Sequence, residues 1–127
     1  MTTPPPGVPF DPSRNPIGLT RRGEARVLEW PPGPPPRIDG YTIGLAAMDT
    51  SAPHGGEMHP DGDEILVLVS GRVDLVLEEA GGPRRVALQP GQAIIVPKGV
   101  WHVVEVLEPC RLFHATPGPG SESRPRA

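Results

Sequence analysis

The chain is poor in several features that would place it in a large class. It has a single cysteine, Cys110, which excludes an intrachain disulfide. Because that cysteine lies in an expected strand, it reads as a small core residue and not as a nucleophile. Positive charge is not in excess: 12 basic against 15 acidic side chains leave a formal net charge of −3. No basic stripe is therefore offered to nucleic acid and no polybasic patch to a membrane surface. Long apolar runs are missing too. The longest uninterrupted aliphatic stretch is residues 65–69, far below the ~20 residues that span a bilayer, and the first residues lack the apolar core of a signal peptide. These absences describe a soluble cytoplasmic protein without nucleic-acid or membrane partners.

Proline and glycine are abundant, at 20 and 16 of 127 residues, a total that by itself suggests disorder. Their distribution argues otherwise. Eleven prolines fall in the first 36 residues and three in the last 11, so the middle keeps six and carries most of the branched aliphatics. That middle is long enough for one small core.

No stretch shows sustained helical spacing, whereas period-2 alternation and short apolar runs bounded by Gly or Pro recur about every ten residues. The pattern is all-β. Candidate strands cover residues 25–30, 41–48, 64–69, 72–78, 84–88, 93–96, 101–107 and 110–116, enough for a double-sheet jelly roll or closed barrel. Ser70-Gly71 reads as a tight hairpin, Ala80-Gly81-Gly82-Pro83 as a second turn, and Glu108-Pro109 as a break between the last two strands. Residues 1–24 are expected to be a flexible Pro-rich arm. Residues 25–36 follow as an N-terminal strand and Pro-rich connector, 37–116 as the barrel, and 117–127 as a disordered tail. By strand parity, Tyr41, Ile43, Leu45, Leu66, Leu68 and Val104 line the interior.

The chemistry concentrates around one histidine in an acidic context, Glu57-Met58-His59-Pro60-Asp61-Gly62-Asp63-Glu64. On an extended chain residues two apart share a face, so Glu57 and His59 can address one point. After the turn, Glu64 opens an aliphatic strand, where a carboxylate is costly unless it is paired or bound to a cation. A second Pro/Gly turn, Pro97-Lys98-Gly99-Val100-Trp101-His102, delivers another histidine into an aliphatic strand. Imidazole with carboxylate suits Fe, Mn, Ni, Zn or Cu, and the residues do not choose among these.

The run Glu57-x-His59-x4-Glu64-x6-Gly71 resembles the first motif of the cupin superfamily, and Gly91-x5-Pro97-x-Gly99-x2-His102 resembles the second. The chain resembles a small single-domain bacterial cupin. That resemblance implies a jelly-roll β-barrel with a divalent metal inside, and carried onto matching positions it gives His59, Glu64 and His102 the places of three ligands. Glu57 stands where the family usually has its first histidine, Ser51 where the first motif begins with Gly, and Val106 where the second often ends with Asn. Two histidines and two carboxylates would leave a divalent ion near zero net charge. Glu57 is thus either a fourth ligand or a neighbouring general base. His114, in the last strand, reads either as a barrel-lining proton carrier or as a partly exposed structural histidine. His54, out of phase with His59, reads as a loop residue unless Gly55-Gly56 breaks the phase. Asp61 and Asp63 read as solvated turn residues.

The resemblance implies an enzyme acting on a small organic molecule by oxygenase-, isomerase-, cyclase- or decarboxylase-type chemistry. The alternative is a non-catalytic module that binds a metal or small ligand. The strand at 64–69 is apolar on both faces, which suggests a covered outer face and a homodimer, with residues 25–30 adding a strand to the partner's sheet.

Overall fold

The computed structural model describes residues 3–126; Met1, Thr2 and Ala127, at the ends of the expected arm and tail, lie outside the described residues. Nine strands follow in chain order: β1 (Ile17–Thr20), β2 (Ala25–Val27), β3 (Gly40–Met48), β4 (His54–Met58), β5 (Glu64–Glu79), β6 (Gly82–Leu88), β7 (Ala93–Val96), β8 (His102–Gly118) and β9 (Glu122–Pro125). Every pairing is antiparallel, and no helix is long and apolar enough to cross a membrane among the described residues. The strand order β2-β1-β3-β8-β4-β9 is completed by β5, which pairs with β6, β7 and β8. This is the all-β jelly roll expected from the alternation.

The two longest strands, β5 and β8, hold the molecule together. The inward row of β5 begins with Glu64, Leu66 and Leu68, then shifts parity to Val73, Leu75 and Leu77. Together with Leu88, Val96, Cys110 and Leu112 these leucines and valines form the sealed core. Leu68 and Leu75 are fully buried, and each stabilises the fold by about 2–3 kcal/mol relative to exposure. Burial also pushes the Cys110 thiol up, in keeping with an inert core residue.

The parity shift explains two differences from the sequence expectation. Ser70-Gly71 is not a hairpin and Glu108-Pro109 is not a break: β5 and β8 run through both and pair along most of their length. The register slips around Leu68, Ser70 and Arg72, so the Ser-Gly pair makes a bulge. Gly71 has φ +90°, and a Cβ there would lie 2.3 Å from the Pro109 carbonyl oxygen. Only glycine lets the two strands cross so closely at this bend.

The flanks are also more ordered than expected. Within the expected arm, β1 pairs with both β2 and β3, and Gly18 is overlaid by Leu28 and Ile38. Asp11 organises the preceding turn, accepting hydrogen bonds from the Ser13 amide at 2.9 Å and hydroxyl at 2.6 Å. Prolines suit such a segment because they carry no amide donor to leave unpaired against the barrel. Within residues 25–30, β2 pairs one edge with β1 of its own chain and stands at the end of the strand order, its other edge unpaired among the described residues. At the other end, β9 forms within the expected tail by pairing with β4. Its Arg124 stacks over Trp101 at 4.7 Å and pairs with Glu78.

Along β3, the inward residues are Gly40, Thr42 and Gly44, which reverses the expected parity for Tyr41 and Ile43. Apolar alternation misleads here because this stretch of the inner wall is polar. Thr42 is fully buried and donates to the Pro36 carbonyl at 2.9 Å.

Candidate metal centre

Two loops bring the acidic histidine motif and the second histidine together. His59 follows the end of β4, and Glu64 opens β5 after the turn at 60–63. The turn at 97–100 docks on this loop: the Gly99 amide donates to the His59 carbonyl at 3.0 Å, and the Lys98 amide to Asp63 Oδ1 at 2.8 Å. Asp61 likewise accepts from the Gly120 amide. Both aspartates are turn residues open to solvent, as expected, with Asp63 exposed and Asp61 half-buried, and both also tie loops together. His102 then starts β8 opposite Glu57 of β4.

His59, Glu64 and His102 are all buried, and their donor atoms lie within 4.8 Å of one another. His102 Nε2 is 2.9 Å from Glu64 Oε1, and His59 Nε2 is 3.3 Å from Glu64 Oε2. Donors each about 2.0–2.2 Å from one ion have this kind of separation. The far sides of both rings set their tautomers. His102 Nδ1 faces the Val100 carbonyl at 3.1 Å, which can only accept, so that nitrogen carries a hydrogen. His59 Nδ1 lies 2.8 Å from Ser121 Oγ, whose own hydrogen points to the Pro117 carbonyl. With Nδ1 protonated on both rings, both Nε2 lone pairs aim at the Glu64 carboxylate. The buried His59 Nε2 has no hydrogen-bond partner among the described residues. Two imidazole lone pairs converging on a carboxylate repel unless a cation or a proton lies between them, so the donor set fits a divalent metal.

With no ion between the donors, protons on the imidazole Nε2 atoms take its place and turn these contacts into hydrogen bonds. Burial would raise the Glu64 carboxyl, but the imidazoles of His102 and His59 hold it well below the usual carboxylate range. Burial would lower His102, yet its hydrogen bond to Glu64 holds it above the usual histidine value.

Around this core the other expected residues take distinct places. Glu57 adjoins it on the more open side, with Oε1 3.0 Å from His54 Nε2 and Oε2 3.6 Å from His59 Nε2. His54 is thus at the site and not in a surface loop. The register slip between His54 and Gly56 breaks the phase that parity assumed. His114 borders the cavity: its Nδ1 is 2.9 Å from Thr116 Oγ1, which donates to Glu64 Oε2 at 2.6 Å. Burial pushes His114 down, with Arg37 contributing. Room for its ring comes from Gly44 across the sheet, where a Cβ would lie 2.9 Å from His114 Nε2. Two of the three motif departures meet, since the Val106 amide donates to Ser51 Oγ at 2.9 Å.

Sequence reasoning missed Thr116, Ser121 and Arg37. Thr116 shares parity with His114 and was findable from that spacing; nothing in the sequence singles out the other two. The centre opens into a cavity of about 580 Å³, within the range of small-molecule sites. Leu45, Met48, Leu66, Val104 and Leu112 line it as apolar wall, and Pro12, Pro16, Trp30 and Pro35 close it from the N-terminal segments. Leu45, Leu66 and Val104 are the expected liners found there, while Leu68 belongs to the sealed core.

An antiparallel barrel with two histidines and a carboxylate converging beside an internal cavity is a jelly roll whose donor set could hold a metal ion. The chain belongs to the cupin family: the family model described as "Cupin domain" matches residues 45–116. Bacillus subtilis oxalate decarboxylase, described as having Mn(II) centres, is similar with a TM-score of 0.57 and 22% identity. That likeness covers 65% of this chain and 23% of the decarboxylase, so this chain spans about a quarter of it. A cupin-2 domain containing protein from Shewanella frigidimarina has a TM-score of 0.53 and 22% identity over 70% of this chain and 81% of its own. No curated protein sequence matches the chain.

Proposed function

We propose that this cupin is a metal-dependent enzyme acting on a small organic molecule inside the barrel. The observation that carries the reading is the cavity that reaches Glu64 and His102 of the converging donor set, so a bound molecule can approach what those donors hold. His59, Glu64 and His102 hold the ion, and Ser121 and Val100 orient the two rings. A divalent transition metal bound there supplies Lewis acidity toward substrate oxygens, and with a redox-active metal also electron transfer. Glu57, held by His54 and outside the compact three-donor set, accepts a proton from substrate. His114, neutral through burial, presents Nε2 beside Gly44 and passes protons through its own ring. The chemistry that fits is oxygenase-, isomerase-, cyclase- or decarboxylase-type.

The test is metal analysis of purified protein, followed by loading with Fe(II), Mn(II), Ni(II), Zn(II) or Cu(II) and turnover assays on phenols, enols, 1,3-diketones and oxalate, with dissolved oxygen followed for iron. About one metal per chain is expected, lost in His102→Ala and retained in Glu57→Gln with turnover abolished. Metal loss in Glu57→Gln makes Glu57 a ligand instead. Unchanged metal in His102→Ala overturns the site, and a full metal complement without turnover on any substrate favours the non-catalytic binding module.

A homodimer in a cytoplasmic setting belongs to the same proposal. Ile65 and Ile95 face each other across β5 and β7 and are 40% and 62% exposed, with Val69 nearby on the same strand. Light scattering at micromolar concentration should give a dimer; a monomer overturns it.

A further inference from the structure

Arg37, in the connector between β2 and β3, borders the same cavity as Glu57, Glu64, His102 and His114. Arg21, Arg84, Arg85 and Arg124 each bridge to a carboxylate. Arg37 is half-buried, forms no ion pair among the described residues, and gives one hydrogen bond to its neighbour's carbonyl, Pro36 O, at 3.2 Å. The other arginines without an ion pair among the described residues, Arg22, Arg26, Arg111 and Arg126, are exposed and do not line the cavity. A guanidinium has five N–H donors and stays charged in proteins. The remaining donors of Arg37 are not sealed from solvent, so a charged group bound in the cavity can take them with charge-assisted hydrogen bonds stronger than those to water.

Charge at the cavity says what that partner is. A divalent ion with Glu57 and Glu64 ionised and the histidines neutral sums to zero. Arg37 raises the sum to +1 in a cavity whose remaining wall is mainly apolar. A dianion would be overcompensated there, and a neutral molecule would leave the guanidinium unmatched.

We propose that Arg37 is the residue that selects the ligand, and that the ligand is a monoanionic carboxylate with an apolar body. The planar guanidinium pairs with the carboxylate by two parallel hydrogen bonds, while the apolar body lies against Leu45, Met48, Val104 and Leu112. Burial pushes the Arg37 pKa down, and Glu57 and Glu64 act in the opposite direction; the group remains a cation. The assignment rests on the proposed metal centre, because the charge sum includes the ion.

The test is calorimetric titration of Zn(II)-loaded protein with two matched pairs of probes: hexanoate against hexanamide, and 3-phenylpropanoate against 3-phenylpropanamide. The metal content of each sample is measured first. Wild type should prefer the carboxylate at least about tenfold, equivalent to about 1.4 kcal/mol. Arg37→Met should erase the preference while metal content stays unchanged, and Arg37→Lys should keep part of it, since the charge remains but the fork is lost. Arg37→Lys also serves if Arg37→Met does not fold: full retention of the wild-type preference then makes the pairing non-specific and overturns the bidentate assignment. Equal binding within both pairs, a preference that survives in Arg37→Met, or no carboxylate binding at millimolar concentration overturns the proposal with metal present. Absence of metal overturns the parent reading and this one with it.

Discussion

Residues 45–116 hold all three converging donors, His59, Glu64 and His102, whereas the segments on either side hold groups that wall and orient. From the N-terminal side come Pro12, Trp30 and Arg37 at the cavity; from the C-terminal side comes Ser121 on His59 Nδ1. The family match covers only the first of these regions. A strand scaffold can thus keep the same donor geometry while its flanks define the shape of the chamber, its charge and the orientation of one ligand. On the proposed reading, the metal-binding donors belong to the barrel and ligand selection to what wraps it.

The largest test breaks the barrel side. Leu75→Ala removes a fully buried side chain that does not itself line the cavity. Chemical denaturation should show a loss of about 2–5 kcal/mol, and loaded protein should still carry about one metal per chain below the unfolding transition. A loss below about 1 kcal/mol would mean that the sealed core is looser than its burial implies.

Ser121→Ala breaks the flank side. It frees the His59 ring without touching a donor atom, so metal affinity should fall about 10–100-fold in a competition titration. Thermal unfolding of the metal-free protein should change little. Unaltered affinity would return the whole centre to the barrel and erase the division between the two regions.

The smallest effect sharpens the comparison through pH. Glu64 holds His102 above the ordinary histidine value of 6.5, so a proton competes with the metal for His102 from a higher pH than usual. Metal affinity should fall as pH drops through that raised pKa, by up to about tenfold per pH unit below it. In the metal-free protein the same pair works in the other direction. A raised His102 adds stability at low pH that is lost as pH rises through its folded pKa. The lowered Glu64 adds stability above the ordinary 4.5, lost as pH falls through its folded pKa. Between about 4.5 and 6.5 both contributions are present. His114, pushed down by burial, opposes them below 6.5, so His114→Gln should widen the acid side of the stability profile measured by thermal scans.

Much of the barrel was legible in the chain. Strands β3 and β7 begin and end within one residue of their alternation, and the turn at Ala80-Gly81 separates β5 from β6 as its composition says. Legibility failed where one local signal serves two structures. Ser-Gly is as good a bulge as a hairpin, and only the partner strand, with Pro109 and Cys110 packed on Gly71, decides between them. It failed again at His54, because counting parity assumes no residue is looped out, and on β3, because an inner wall facing a polar centre carries Thr42 and Gly44 in place of aliphatics. The prolines misled in the opposite direction. They mark segments without strand periodicity, but such segments can still be bound to a barrel by turns such as that at Asp11.

The sequence by itself determined the all-β class and the family, because strand alternation and motif spacing are local properties of the chain, and it nominated Glu57, His59, Glu64 and His102 as candidate donors. Only the tertiary structure decided that Ser121 orients His59, that Thr116 joins His114 to Glu64, and that Arg37 enters the cavity unpaired. Those relations connect residues 52 and 62 positions apart, or set a charge against groups on other strands. They exist only once antiparallel pairing has closed the barrel and drawn the flanking segments against it.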